Sequence, residues 1–341
     1  MTSPDANTHD TILLAHGSGG RLSRDLVQQE IVPRFGEDSL QGLPDGATLP
    51  ALVNGMVFTT DSFVVSPLLF PGGNIGHLAI HGTVNDLAVC GAKPRWLSLA
   101  LIIEEGLPLA LLRLILDSVK TAAEDCGVSI VTGDTKVVEK GHADGLFINT
   151  SGIGERIAGF DLAPAKVRSG DRVLVSGTLA DHGMAVLACR RGIDIQNGPS
   201  SDTAPVHRLV QAAAPWAGSI RFMRDPTRGG AAATLNEVTE GHAIDIDLDE
   251  TAIPFSPGVR AMAEILGIDP MHAASEGRLF AICSAEAAEA VIATWRTLPE
   301  GHGAACIGRV ATGRGRVIMN TVTGGRRLVD VPRGELLPRI C

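Results

Sequence analysis

The sequence predicts a mixed α/β (α+β) fold built from two domains. Apolar stretches that alternate like β-strands are followed repeatedly by stretches with the 3.6-residue period of amphipathic helices. The chain has 341 residues, which is about the length of two domains of ordinary size. One run of elements ends near residue 155, and another begins near Arg168. We therefore expect an N-terminal segment over residues 1–44, a first domain over 45–160 and a second over 168–320.

The composition excludes several classes of protein. The net charge is −9 with no Lys/Arg-rich run, which argues against nucleic acid as a partner. The apolar runs are too short to span a bilayer, and the first ten residues are polar, so we expect no membrane partner and a cytoplasmic location. The six cysteines form no CxxC pair, which favours neither a disulfide framework nor a zinc site.

A glycine-rich loop follows the first apolar run of the chain. The stretch His16-Gly17-Ser18-Gly19-Gly20 precedes an amphipathic segment at residues 22–31. Backbone N–H groups at a helix start suit an anion, although such loops are often simple turns. No Gly-Lys-Ser/Thr follows, so this is not a Walker motif.

The first domain carries acidic residues at the predicted ends of its elements. Asp61, Asp86 and Asp134 each stand beside Thr or Asn, and Gly82 and Thr83 lie one turn before Asp86, where small residues leave room for a ligand. A single such residue is usually a cap or a turn former. Three together also suit Mg²⁺ bound to nucleotide phosphates. Strands are predicted at residues 53–66, 94–104, 128–131 and 146–154, and helices at 77–90 and 109–126.

The second domain contains one compact polar cluster. The segment Arg224-Asp225-Pro226-Thr227-Arg228-Gly229-Gly230 leads into a predicted helix and is interpreted either as an anion-binding helix start or as an elaborate cap. Strands are predicted at residues 172–176, 244–248, 279–283 and 304–310, and helices at 182–191, 206–214, 230–241, 257–266 and 285–295.

The sequence ends in Pro338-Arg339-Ile340-Cys341. We predict a mobile tail over residues 323–341, with Gly324-Gly325 as its hinge and proline as a stiffener. One interpretation is an arm that carries a reactive sulfur, and the other is a frayed terminus. A neighbouring carboxylate disfavours the thiolate, so Cys341 requires another site to activate the chemistry.

Taken together, these motifs resemble the HypE family of hydrogenase expression/formation proteins, within the PurM-like ATP-binding superfamily. The Asp motifs alone are shared with aminoimidazole ribonucleotide synthetase, selenophosphate synthetase and thiamine-monophosphate kinase. The terminal Pro-Arg-Ile-Cys and the Arg-Asp-Pro-Thr-Arg-Gly-Gly segment narrow the resemblance to HypE. The matching segments, which run through nearly the whole chain, are residues 16–20, 59–62, 84–88, 91–94, 132–138, 224–230, 274–277 and 338–341.

The resemblance implies a homodimer in which the N-terminal domains pair their sheets, with a C-terminal α/β domain packed on each. It implies ATP and Mg²⁺ as cofactors. It also implies that the carbamoyltransferase HypF places a carbamoyl group on the terminal sulfur and that this group is then dehydrated, with ATP, to S-cyanide. The cyanide passes to iron on a HypC–HypD complex during maturation of [NiFe]-hydrogenase.

The resemblance also suggests a role for each matching residue. Cys341 carries the substrate group, and Glu276 and Lys136 are candidates for proton removal, although such a pair can also be a salt bridge. Arg224 and Arg228 could neutralise phosphate charge. Metal ligands are expected at Asp61, Asp86 and Asp225, and further nucleotide contacts at Asp134, Gly17, Gly19 and Gly20.

Two alternatives remain open from the sequence. The first is another enzyme of the superfamily, such as a selenophosphate synthetase or a small-molecule kinase, although no Cys precedes Cys90 and a kinase does not need a terminal cysteine. The second is a scaffold that uses its terminal cysteine to hand over a metal. The scaffold predicts neither ATP turnover nor a covalent adduct.

Overall fold

The computed structural model describes residues 10–35, 46–193, 196–331 and 339–341. Its helices are α1 (Arg21–Leu26), α2 (Val32–Phe35), α3 (Ile75–Val89), α4 (Leu109–Cys126), α5 (Asp181–Arg190), α6 (His207–Ala212), α7 (Gly230–Thr239), α8 (Pro257–Leu266) and α9 (Ala285–Trp295). Its strands are β1 (Met56–Phe63), β2 (Leu69–Phe70), β3 (Gly73–Asn74), β4 (Ala92–Glu104), β5 (Ser129–Val138), β6 (Leu146–Arg156), β7 (Arg172–Val175), β8 (Ile220–Arg224), β9 (Ile244–Asp249), β10 (Phe280–Cys283), β11 (Ala305–Thr312), β12 (Arg316–Asn320) and β13 (Arg326–Leu328).

The N-terminal sheet has four strands in the order β1-β6-β4-β5. The first three pair antiparallel, whereas β4 and β5 pair parallel because α4 connects them as a crossover helix. Helix α4 begins and ends where the sequence predicts, and it stops at Gly127, whose left-handed φ of 64° suits glycine. Burial alternates along β6, so this sheet has one covered face and one open face.

Helix α3 lies at the centre of the molecule. Asn74 caps it by accepting hydrogen bonds from the backbone N–H groups of Gly76 and His77. An amphipathic helix with one apolar stripe is predicted here, but α3 is buried on almost every face. The N-terminal sheet covers one side, and Ala88 and Val89 pack into a core cluster of the C-terminal unit on the other. The helix therefore joins the two units and fixes the position of Asp86.

The C-terminal sheet has seven strands in the order β13-β12-β9-β11-β7-β10-β8. All of its neighbours pair antiparallel except β9 and β12. The sequence prediction misses β8, β12 and β13, each of five residues or fewer. Because β8 ends at Arg224, this sheet fixes the position of the polar segment at residues 224–230.

The predicted hinge is wrong. Gly324 and Gly325 form the turn between β12 and β13, where Thr321 N–H donates to Gly325 O at 2.9 Å. Gly324 has a φ of 83°, which a tight turn tolerates in glycine. The strand that follows moves the start of any free tail past Leu328. Pro338 lies within residues 332–338, outside the described residues, and the mobility of the tail stays a prediction.

Among the described residues, no helix is both long and apolar enough to cross a bilayer.

Candidate active site

Three carboxylates from separate segments approach one another between the two units. Asp61 lies in β1, Asp86 in the last turn of α3 and Asp225 directly after β8. Thr59 holds Asp86 by donating its hydroxyl to Oδ2 at 2.9 Å. Burial, and then the charge of Asp86, raise the pKa of Asp225 to about 7. Burial also raises the pKa of Asp86, and Asp61 adds to that rise. We call these three residues the acid cluster.

Gly82 brings two of these acids together. A Cβ at this position would lie 2.8 Å from the Phe63 ring and 3.7 Å from Oδ2 of Asp61. Gly82 is four residues before Asp86, so both sit on the side of α3 that faces β1. The sequence analysis interprets the small residues here as room for a ligand. The structure corrects this, since the aromatic ring of Phe63 fills the space.

The segment after Asp225 turns sharply into α7. Gly230 has a φ of 61°, and a Cβ there would lie 2.6 Å from Ala273 O and 2.7 Å from Met271 O. No other residue fits this approach without a shift of the backbone. Pro226 O accepts a hydrogen bond from Ser275 N–H at 2.9 Å, which fastens this turn to the loop that carries Glu276.

Glu276 is buried beside the acid cluster, with 2% of its surface exposed. Among the described residues, its Oε1 has no hydrogen-bond partner. Burial, and then the charges of Asp225 and Asp202, hold the pKa of Glu276 well above its usual range. Burial and the neighbouring acids therefore disfavour the ionised form of its carboxyl group unless a cation is bound nearby.

The two arginines of the 224–230 segment oppose the charge of the acids. Burial raises the pKa values of Asp86 and Asp225, and the charge of Arg224 offsets part of that rise. Arg224 also forms an ion pair with Glu237 at 3.5 Å. Burial raises the pKa of Asp61, and the charge of Arg228 offsets part of that rise. Both arginines lie within electrostatic reach of the acid cluster, and their role in neutralising phosphate stays a prediction.

Cys341 lies in the same space. Its backbone oxygen accepts a hydrogen bond from Val64 N–H, one residue beyond β1, at 3.1 Å. Burial, and then the charge of Glu276, raise the pKa of its thiol far above the usual range, while Arg228 opposes the rise. The thiol is therefore neutral here. This environment is poor for a nucleophilic thiolate and suits a sulfur that only carries a group.

The structure places the remaining predicted residues elsewhere in the chain. Asp134 and Lys136 lie within β5 rather than at a strand end, and Lys136 Nζ contacts both carboxylate oxygens of Asp134 at 2.6 and 2.7 Å. Asp61 pairs with Thr150, which in turn pairs with Leu99, so these three side chains lie on one face of the sheet. Asp134 pairs with Ala100, the residue after Leu99, so its side chain lies on the other face. Asp134 thus faces the open side of the sheet, about 14 Å away across three strand spacings.

The glycine-rich loop also lies at the β5 edge. A Cβ on Gly17 would come within 2.3 Å of Val137 N, so this glycine allows the loop to pack directly on the strand. Gly19 N–H donates to Ser23 Oγ at 2.9 Å, and Gly20 precedes α1. Within one chain, the loop and Lys136 form a second group, separate from the acid cluster, and Glu276 and Lys136 do not pair.

The described parts of the chain contain no three His, Cys, Asp or Glu side chains that converge to enclose a metal ion. The acid cluster is therefore an open set of carboxylates rather than a complete metal cage.

Two positioning residues escape the sequence analysis. Asn85 donates its amide N–H groups to Glu276 O at 3.1 Å and Ala204 O at 3.0 Å, and it accepts from Val206 N–H at 2.7 Å. Asp202, which is buried, accepts from the backbone N–H of Glu276 at 3.1 Å. Asn85 stands next to Asp86 in its motif and could have been noticed, whereas Asp202 lies in a predicted loop with no signal.

Comparison with known proteins defines the class first. The model of the AIR synthase related protein N-terminal domain matches residues 45–156, and that of the C-terminal domain matches residues 168–320. The predicted PurM-like, two-domain α/β fold is confirmed.

Full-length relatives then identify the family. Carbamoyl dehydratase HypE of Bradyrhizobium diazoefficiens is 51% identical over 96% of this chain and 95% of its own length. A crystal structure of HypE in complex with ATP is 42% identical, with a TM-score of 0.92 over 96% of this chain and 99% of that one. The HypE–HypF complex contains a chain that is 40% identical, with a TM-score of 0.79 over 90% of this chain and 99% of that one. The chain belongs to the HypE family.

Proposed function

We propose that this protein is a carbamoyl dehydratase of hydrogenase maturation. It dehydrates an S-carbamoyl group on Cys341 to S-cyanide with ATP, and it thereby supplies the cyanide ligands of the [NiFe]-hydrogenase iron centre. The observation that carries the proposal is the position of Cys341, whose sulfur lies within electrostatic reach of Glu276, Asp61 and Asp225. The names of the full-length relatives support the same activity.

A thiocarbamate does not lose water unaided, because oxide is a very poor leaving group. Bound Mg²⁺–ATP supplies the phosphoryl group that turns the carbamoyl oxygen into a phosphate leaving group. The overall reaction converts R–S–C(O)NH₂ and ATP into R–S–CN, ADP and phosphate. The chain must therefore hold the phosphates, aim the thiocarbamate at them and accept both amide protons.

The acid cluster fits Mg²⁺. Buried carboxylates that repel one another need protons or cations between them. Nucleotide-bound Mg²⁺ takes only one or two carboxylates along with phosphate oxygens and water, so an open set of acids is what it requires. Asp61, Asp86 and Asp225 would hold the ion, and Asp225 is the most deeply buried of the three.

Glu276 is the residue best placed to take the amide protons. Its Oε1 is unpartnered among the described residues, and its backbone is fixed on both sides by Asn85 and Asp202. A carboxylate in this position accepts a proton from the thiocarbamate nitrogen as the phosphate leaves. Arg228, which faces both Asp61 and Cys341, stabilises the negative charge that develops on the oxygen.

The open face of the N-terminal sheet supports a homodimer. Met56 and Phe58 each expose 62% of their surface on this face, and Ile102 exposes 43%. A second copy that pairs its sheet here would cover these side chains. It would also let Lys136 and the loop from Gly17 to Gly20 serve the nucleotide at the acid cluster of the other protomer.

The partners and location follow from the same assignment. HypF, which forms a complex with a relative of this chain, supplies the carbamoyl group. A HypC–HypD complex accepts the cyanide, and the reaction takes place in the cytoplasm. In this proposal, residues 45–160 bind nucleotide and pair in the dimer, and residues 168–320 contribute Arg224, Asp225, Arg228 and Glu276.

The test is mass spectrometry of the C-terminal peptide. The protein is incubated with HypF, its carbamoyl donor and ATP, and cleavage after Glu335 releases residues 336–341. We expect a carbamoyl adduct on Cys341 that loses one water only when ATP is present, and no adduct in Cys341→Ala, which still binds ATP. An unmodified Cys341 in the wild type would favour the metal-transfer scaffold instead.

A further inference from the structure

The last three residues dock beside the chain that follows β1 through two backbone hydrogen bonds and one from a side chain. Ser66 N–H donates to Arg339 O at 3.3 Å, and Val64 N–H donates to Cys341 O at 3.1 Å. In the other direction, Arg339 Nε donates to Val64 O at 3.2 Å. These three bonds fix the register of the tail, because a slip by one residue would break all of them.

Arg339 is held from the solvent side by two residues. Its guanidinium contacts Asp144 Oδ2 at 2.7 Å. Its backbone oxygen accepts a hydrogen bond from Arg190 Nη2 at 2.6 Å, and the same nitrogen donates to Ser66 O at 2.6 Å. Arg339 has a φ of 54°, which is unfavourable for a residue with a Cβ, so this turn requires outside support. Arg190 bridges Ser66 and Arg339 at that turn.

Ile340 is held from the buried side. Its side chain is 3% exposed and belongs to a core cluster formed by residues of both units. Its backbone oxygen contacts Nε2 of His182 at 2.5 Å, and Nδ1 of that ring contacts Ser201 Oγ at 2.7 Å. A carbonyl oxygen can only accept, so Nε2 carries the hydrogen and Ser201 donates to Nδ1. His182 is fully buried, which fixes the depth of the tail.

We propose that Asp144, His182 and Arg190 are positioning residues that hold the tail in register, so that the sulfur of Cys341 reaches Glu276 and the acid cluster. The three residues have different roles in docking the tail. Arg190 and Asp144 are at the surface and set how often the tail is docked. His182 sets how deeply the sulfur is inserted. The inference rests on the proposed function for its chemical consequence, but the docking itself can be measured without any turnover.

The docking test is the rate at which a maleimide alkylates Cys341 in the full chain, read on the peptide of residues 336–341. Arg190→Met keeps the apolar stem and removes the donors. Because hydrogen bonds to a charged donor are lost, we expect alkylation to be about 10-fold faster. Asp144→Asn should give a smaller increase. Arg191→Met is the matched control, since the described structure shows no hydrogen bond from its side chain to the tail.

The consequence for the reaction is a split between two rates. In Arg190→Met, carbamoylation by HypF should be unchanged or faster, ATP affinity unchanged, and dehydration of the carbamoylated protein about 10-fold slower. Arg190→Lys should restore part of the rate. His182→Gln, whose amide can still donate to Ile340 O, should retain more dehydration than His182→Leu at equal thermal stability.

Equal alkylation of Cys341 in wild type, Arg190→Met and Arg191→Met would overturn the inference. Faster alkylation with unchanged dehydration would also overturn it, because the contacts would then hold the tail without positioning its sulfur. If the wild type does not dehydrate any adduct, the proposed function fails, while the alkylation rates still decide whether these residues dock the tail.

Discussion

Asp225→Asn tests the electrostatics of the acid cluster most sharply. Asp225 is 6% exposed and is surrounded by acids from two other elements. Asparagine keeps its shape but cannot ionise. Without Mg²⁺ or nucleotide, the substitution should stabilise the protein, and it should also abolish Mg²⁺-dependent ATP binding. Substitutions that remove one of several like charges from an active site commonly stabilise the protein and reduce its activity.

The magnitude follows from the pKa, which rises from 3.8 to about 7 in the folded chain. The raised value means that the native state disfavours the ionised form. The ionisation of Asp225 therefore has no effect on the free energy of unfolding below about pH 4. It lowers that free energy progressively as pH rises to about 7, above which the effect is constant. At about 1.4 kcal/mol for each pKa unit, Asp225 lowers the free energy of unfolding by about 1 kcal/mol at pH 4.5 and about 4 kcal/mol at pH 8.

The assay is unfolding by urea in EDTA at these two pH values, for wild type and Asp225→Asn. We expect the advantage of the variant to grow by about 3 kcal/mol between pH 4.5 and pH 8. Asp134→Asn is the control of opposite sign, because the hydrogen bond from Lys136 lowers the pKa of Asp134 and its loss should destabilise at neutral pH. An advantage of Asp225→Asn that is independent of pH would refute the reasoning.

Three further predictions address the other parts of the site. Glu276→Gln should permit carbamoylation of Cys341 but slow dehydration at least about 100-fold, measured in a single turnover, if Glu276 takes the amide protons; unchanged dehydration would remove it from the mechanism. Mixing Lys136→Ala with Asp225→Asn protomers should restore activity in mixed dimers, since one site then has both residues intact; continued inactivity, once mixed dimers are shown to form, would place Lys136 in the site of its own chain. Gly82→Ala should cost about 1 to 3 kcal/mol of stability and weaken nucleotide binding, because its Cβ would lie 2.8 Å from the Phe63 ring, whereas Gly218→Ala, with nothing within 4 Å of its Cβ, should be neutral in both.

Much of the fold could be predicted from the sequence, because long apolar periods determine long elements. Helix α4 and helix α9 begin and end at the predicted residues. Short strands such as β12 and β13 have too few residues to show a period. Because these strands were missed, the turn at Gly324 between them was predicted to be a hinge. Helix α3 was predicted as a helix, but its burial on almost every face depends on packing with the C-terminal unit, which local sequence does not reveal.

The site was predicted as a set of motifs, and the structure divides that set in two. The sequence could not show that Asp61 and Asp134 face opposite sides of one sheet, because that depends on strand register. It also gave no sign of His182 or Arg190, which act through contacts with a tail more than 140 residues away along the chain. Residues that carry chemistry stand in motifs, whereas residues that position them depend on the fold.

The most direct test of the central claim follows the oxygen of the thiocarbamate. The protein is carbamoylated on Cys341 with ¹⁸O in the carbonyl group and then given ATP in ordinary water, so that each Cys341 group is dehydrated once. If the oxygen leaves as phosphate from a site built on Asp61, Asp86 and Asp225, inorganic phosphate acquires one ¹⁸O for each S-cyanide formed on the peptide of residues 336–341. Label that appears in water while the phosphate stays unlabelled would contradict the account.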